Sequence, residues 1–280
     1  MSITPAFPHG SDMLKKLTLL LAAVLLTACA AVPRPSSVPV GGAAAVDAAG
    51  SSNPDAPPYD AWSRVLEQFV DAEGRVNFET LAKNRADLDR VVAYVYDTGP
   101  NNQPQLFTSR EAVLAFHLNA YNALAMHQEI ESGIPVSLAG FNKLKFFYFG
   151  KLQVGGAPIS LYDYENDVIR ALGDPRVHFA LNCMSVGCPR LPREPFLAAT
   201  LEQQLEREAR RFFNDPRHVT VDAVRGVLRL SEILRFYPDD FLRAAPTLIA
   251  YVNRYRDIKV PDSHTIEYIP YDWTINRQPR

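Results

Sequence analysis

HFALNCMSVGCPRL, residues 178 to 191, places one histidine and two cysteines within eleven positions. Those residue types support three chemistries. A thiolate beside an imidazole base attacks acyl carbons. Two thiols close a disulfide. Cysteine and histidine together hold zinc when a fourth ligand and close spacing are present. Four residues separate Cys183 from Cys188, wider than a CxxC knuckle, so a metal site is not expected. Read as a strand, Val177 to Asn182 sends His178, Ala180 and Asn182 to one face. Phe179, Leu181 and Cys183 then face the other way, a poor arrangement for a His178–Cys183 dyad. Gly187 gives the intervening loop the freedom to close a Cys183–Cys188 disulfide. A disulfide, a reactive thiol and two inert buried thiols all stay open on this reading.

Other polar residues need a place. Asn119 and Asn122 are three apart, hence on one face of an apolar helix, and a buried amide must be hydrogen-bonded. They brace a neighbouring backbone segment or line a pocket. His117 and His127 share that helix without an i, i+4 histidine partner, so both read as structural or surface groups. Glu165, with Asp163 nearby, sits near a helix start that Ser160 can cap; it could orient a histidine or simply favour the helix dipole. HExxH, a glycine-rich phosphate loop and GxSxG are absent from the sequence, so no cofactor is expected and the commonest nucleotide and serine-hydrolase signatures are missing.

Which thiol chemistry applies depends on the compartment. Lys15 and Lys16 precede a ten-residue apolar stretch, Leu17 to Leu26. As a helix it rises about 15 Å, too short to span a bilayer and suited to a signal peptide whose true start is Met13. LTAC, Leu26 to Cys29, resembles a lipoprotein signal-peptidase motif. Cys29 would carry the diacylglyceryl group and a further acyl chain such as palmitate, and Ala30 fits an outer-membrane lipoprotein facing the periplasm. Residues 29–59, rich in Ala, Pro, Gly and Ser, read as the lipidated cysteine and a flexible tether. Residues 60–280 then form one globular domain. Removing residues 1–28 takes away two lysines and Asp12, leaving 27 basic against 30 acidic side chains. That balance gives no reason to expect nucleic-acid binding. With Cys29 acylated, an even pair of cysteines remains in an oxidising compartment.

The elements that must position these residues read as α+β. Trp62, Val65, Leu66 and Phe69 mark a helix, and the run from Phe78 to Val95 marks a second. Thr108 with Glu111 reads as a capping box opening a central apolar helix that runs to about Glu131. Lys145 to Val154 reads as two short strands about a Gly-Lys turn, and Leu161 to Ala171 as a helix. A charged helix is expected over residues 194–213, a hairpin from VTVD and VLRL, a short helix at Ser231 and another over 239–255. The central helix is expected to pack on a small, mostly antiparallel sheet.

FHLNAYNAL (116–124), YENDVIR (164–170), DPRVHFALNCMSVGCPRL (174–191), LSEILRFYPDDF (230–241) and YDWTIN (271–276) together resemble the family known as domain of unknown function 547. The resemblance covers most of residues 75 to 276. It places Asn119, Asn122, Glu165, His178, Asn182, Cys183 and Cys188 on signature positions, and it implies a domain of bacterial envelope proteins. His117 stands where the family usually has Trp, and Asn166 where it often has His; an activity that required that second histidine would be lost here. The order of helix and histidine segment also looks distantly like a papain- or transglutaminase-type domain. Such enzymes open the central helix with a cysteine, whereas this helix carries Asn119 and Asn122. The function expected is binding of a periplasmic or cell-envelope component, a protein or peptide among the ligands, with the membrane held through the lipid on Cys29. The alternative is a cysteine-dependent hydrolase or acyl-transfer enzyme acting on amide or peptide bonds. Cys183 or Cys188 would be its nucleophile, His178 its base and Glu165 or an asparagine its orienting group.

Overall fold

Apolar residues at helical spacing drive the first layer. In the computed structural model, which describes residues 57–279, helix α1 (Tyr59–Phe69) buries Trp62, Val65, Leu66 and Phe69. The expected lipidation site at Cys29, the expected signal peptide and nearly all of the expected tether fall outside the described residues. The expected second helix is two: a turn at Phe78–Leu81 capped by Asn77, then α2 (Ala86–Asp97). The central helix α3 (Arg110–Glu131) is capped by Ser109, whose Oγ accepts the Ala112 N–H at 3.0 Å, rather than by Thr108. It is buried from Leu114 to Glu129, polar residues included. Among the described residues no helix is long and apolar enough to cross a membrane.

The fold is a single mixed α+β domain with helices packed on small sheets. Strands β1 (Leu152–Val154) and β2 (Ala157–Ile159) pair antiparallel. Farther along, β3 (Val219–Asp222) and β4 (Val227–Ser231) form the expected hairpin, and β5 (Thr265–Ile269) adds in parallel to β4. The first sheet packs on α2 and the second on α4 (Leu201–Asn214). The central helix does not lie on either. Its main neighbours are α2, α4 and the turns at Tyr164–Ile169 and Ala198–Thr200.

Three other expectations give way for identifiable reasons. Lys145–Phe149 is a helical turn that continues Phe141–Leu144, so the first hairpin forms later, about Gly155 and Gly156. The charged helix starts at Leu201 because both backbone groups of Phe196 are taken by Asn119, and Pro195 O by Gln204. The last long helix is α5 (Pro238–Ala244) followed by α6 (Leu248–Tyr255). Pro246 disfavours helical Ala245, and Thr247 caps the restart.

Two buried clusters share this domain. One is built on α1, α2 and α3; the other joins Phe179, Phe213, Leu228, Leu230, Phe241 and Tyr251. The segment around His178 lies on the seam. Val177 belongs to the first cluster and Phe179 to the second.

Candidate functional site

Residues 175–182 are not a strand. Pro175–Phe179 is a 3₁₀ turn capped by Asp174, whose Oδ1 accepts the Arg176 N–H at 2.9 Å. Residues 180–182 are held by α3 instead of by a sheet. Asn122 Nδ2 donates to Ala180 O at 3.0 Å, and its Oδ1 accepts the Asn182 N–H at 2.8 Å. Asn182 then closes the cysteine loop, donating to Pro189 O at 2.7 Å and accepting the Met184 N–H at 2.8 Å. Asn119 clamps Phe196 in the same two-way fashion and accepts Trp62 Nε1–H at 3.1 Å. All three asparagines are spent on backbone bracing, and none lines the cavity at the seam. His117 is buried against the Tyr164 hydroxyl, 2.8 Å away, and burial lowers its pKa to about 4. His127 meets Arg85 on the far part of the helix, 2.8 Å from Nη2.

That cavity, of about 380 Å³, gathers Glu165, His178, Cys183 and Cys188 in one place. His178 Nε2 lies 2.7 Å from Asp240 Oδ2, on the first turns of α5. The same oxygen accepts Arg170 Nε at 2.7 Å, and Arg243 bonds Oδ1. Burial raises the Asp240 pKa, but the His178 and Arg170 bonds together outweigh it and hold the carboxyl well below the usual range. An ionised Asp240 fixes the tautomer: Nε2 of His178 carries the proton. The imidazole stacks on Tyr237, with centroids 4.3 Å apart and planes 19° from parallel. Arg170 covers the other side of that phenol at 4.6 Å.

Glu165 receives a hydrogen bond from the Tyr121 hydroxyl at 3.1 Å. The Tyr237 hydroxyl is also turned to Glu165. Burial, with the carboxylate next in effect, raises the pKa of both phenols, so both remain donors. Asn166 accepts from Arg170 and donates to Tyr162 O at 2.8 Å.

Cys183 and Cys188 are joined as a disulfide, their Cα atoms 6.3 Å apart. The Tyr271 hydroxyl stands 3.1 Å from Cys188 Sγ and 3.3 Å from Cys183 Sγ, and Ser185 Oγ is 3.1 Å from Cys183 Sγ. The expected freedom of Gly187 serves a different purpose. Met184, not Gly187, takes the left-handed backbone, at φ +66°. Gly187 is needed for close approach, because a Cβ there would sit 2.8 Å from the Tyr271 ring and 2.9 Å from Asp272 N. Among the described residues no hydrogen bond joins His178 to either sulfur, and no group of three His, Cys, Asp or Glu is arranged to hold a metal ion.

Phe147, Tyr148, Tyr162, Phe236 and Trp273 make most of the remaining wall aromatic, with Leu181, Pro189 and Ile233 adding aliphatic surface. Lys143 Nζ lies 3.9 Å from the Trp273 ring centre. Asp240, Arg170, Tyr237, Tyr121 and Tyr271 are the site residues that sequence reasoning missed. LSEILRFYPDDF and YDWTIN were the available signal, since both motifs supply walls of the cavity.

The fold and site thus define an α+β domain with one acidic and one imidazole group in an aromatic-walled cavity beside a cysteine pair. Residues 105–213 match the family described as a protein of unknown function, DUF547. That match takes in Glu165, His178 and both cysteines and ends before Asp240, Tyr271 and Trp273. No curated protein and no solved structure matches the chain.

Proposed function

We propose that the chain is a lipid-anchored envelope protein, held at the outer membrane by Cys29 and facing the periplasm, whose domain binds an envelope component in this cavity. The observation that carries the reading is the convergence of Glu165, His178 and a stack of aromatic side chains on one space of about 380 Å³. Pockets of that size with apolar walls and a few fixed polar groups suit small ligands or the end of a larger one. Glu165 offers a carboxylate acceptor and His178 the nitrogen left free by Asp240, while the disulfide braces the rim.

The test uses the chain with Cys29→Ser, exported to the periplasm and measured by native mass spectrometry. A retained small molecule that is released on denaturation and lost in Trp273→Ala supports binding in the cavity. No retained molecule, together with no thermal shift against lipid, glycan and peptide fractions of the envelope, contradicts it.

A second reading draws on the His178–Asp240 pair. Imidazole oriented by a buried carboxylate is the arrangement that activates a thiol nucleophile, which here requires an external dithiol to reduce the Cys183–Cys188 disulfide, itself being oxidised to a disulfide. Amide or peptide hydrolysis, or acyl transfer, would then run through Cys183 or Cys188. That activity would vanish in the corresponding Cys→Ser variant with the fold intact, whereas ligand binding would survive it.

A further inference from the structure

The outer face of the helical segment Phe141–Phe149 is apolar where solvent should be. Phe141, Leu144, Lys145 and Tyr148 recur at i, i+3, i+4 and i+7, so they share a face. Phe141 is 68% exposed, Leu144 45% and Tyr148 44%, while Phe146 and Phe147 are buried. Phe149 adds a ring 65% exposed, Val136 stands 77% exposed shortly upstream, and Tyr162 stacks on Tyr148 at 4.6 Å. Six of the eleven large hydrophobic side chains left exposed fall in this group, among the described residues. Scattered exposed apolar residues need no explanation; a cluster of this kind marks a surface that something covers.

Its charge says what. Between Glu131 and Asp163 the chain holds three lysines, Lys143, Lys145 and Lys151, and no acidic residue. Lys145 and Lys151 are exposed and enter no ion pair among the described residues. Asp163, close enough to Tyr148 to act on its hydroxyl, accepts from Ser160 at 2.7 Å, and Glu232 accepts from the Tyr271 N–H at 2.9 Å and from Arg235 at 3.0 Å; neither forms an ion pair with Lys145 or Lys151. Aromatic and aliphatic side chains on one helical face, flanked by lysines, match the headgroup and acyl boundary of a bilayer that carries anionic lipid. Tyr148, Tyr162 and Lys143 also line the cavity, so its wall is continuous with this face.

We infer that the Phe141–Phe149 face, with Lys145 and Lys151, is a docking surface for an anionic membrane. Cys29 plays no part in this contact, which therefore stands or falls separately from the lipid anchor. Docking lays Phe141, Leu144 and Phe149 into the lipid boundary, sets the two lysines against phosphate groups, and brings the cavity wall to the membrane.

The test is co-sedimentation of residues 30–280, which keep both buried cores and lack the apolar leader and the anchor thiol. Two vesicle types are used, pure phosphatidylcholine and phosphatidylcholine with phosphatidylglycerol. The wild-type chain is expected to sediment with the anionic vesicles and much less with the neutral ones, weakening as salt is raised. Phe141→Ser with Phe149→Ser should weaken that binding by about tenfold or more, and Lys145→Glu with Lys151→Glu by at least several-fold. Because these side chains are exposed, both double variants should keep the wild-type melting temperature. No sedimentation with either vesicle at low salt overturns the inference, as does binding that the Phe141 and Phe149 changes leave untouched. A dimer in solution that those changes dissociate also overturns it, since a second copy would then cover the face.

Discussion

His178 Nε2 lies 2.7 Å from Asp240 Oδ2 across 62 residues of chain, and both side chains are buried. The contact ties the turn on the seam to α5, and through Arg170 and Arg243 it gathers three cationic or protonated donors on one carboxylate. Removing that carboxylate's charge would leave the guanidinium of Arg170 poorly paired. Asp240→Asn should therefore cost about 2–4 kcal/mol, read from the guanidinium midpoint at unchanged slope.

The same group sets an acid limit. Its folded pKa is depressed, so the unfolded chain binds the proton more readily. The stability it contributes is present above the unfolded value, near 3.8, and is lost as pH falls through the lower folded value. Below about pH 4 the wild type should lose stability more steeply than Asp240→Asn, which a melting series from pH 6 to pH 2 would read.

Glu129 sets a limit at the opposite end. It is fully buried on α3, neither carboxylate oxygen has a hydrogen-bond partner, and burial raises its pKa to about 8. Here the folded state holds the proton more tightly. The contribution is complete below the unfolded value of 4.5 and is lost as pH rises through about 8. Glu129→Gln should match the wild type near pH 5 and melt higher than it at pH 9.

Asn122 replaces a sheet partner for residues 180–182. Asn122→Ala leaves a buried N–H and a buried C=O without partners, a loss of about 2–4 kcal/mol. The cost should appear in denaturant unfolding, and the cysteine loop should become accessible to protease.

At Gly187 the prediction concerns shape. Gly187→Ala drives a Cβ into Tyr271, so the tail must shift at a cost of about 1–3 kcal/mol. Trp273, packed 4.4 Å from Tyr271, reports the shift through its fluorescence.

Helix α1 was legible because apolar residues recur at 3.6 spacing, α3 because a capping signal precedes a long run apolar on most sides, and the β3–β4 hairpin because two short runs rich in Val and Leu flank a turn. Val177 to Asn182 misled because its apolar pattern suits a strand, yet Asn122 claims the backbone groups that a sheet neighbour would have used. Lys145–Phe149 misled in the same way: aromatic residues favour strands, but here Phe146 and Phe147 fill the core from a helical turn. Glu165, His178 and the cysteines could be singled out by residue type and resemblance, and the cavity brings them together. Asp240 could not be chosen over Asp239 from sequence, because only the α5 start angle decides which of the two meets His178.

If the cavity is a binding site, its cysteines serve only to brace the rim, and thiol counting tests that most directly. The domain, purified from periplasm, is alkylated with and without reductant and weighed by mass spectrometry. Two sulfurs blocked until reduction are predicted. A free thiol at Cys183 or Cys188 that alkylates rapidly at pH 6–7 without reductant would contradict the brace and point to the thiol enzyme instead.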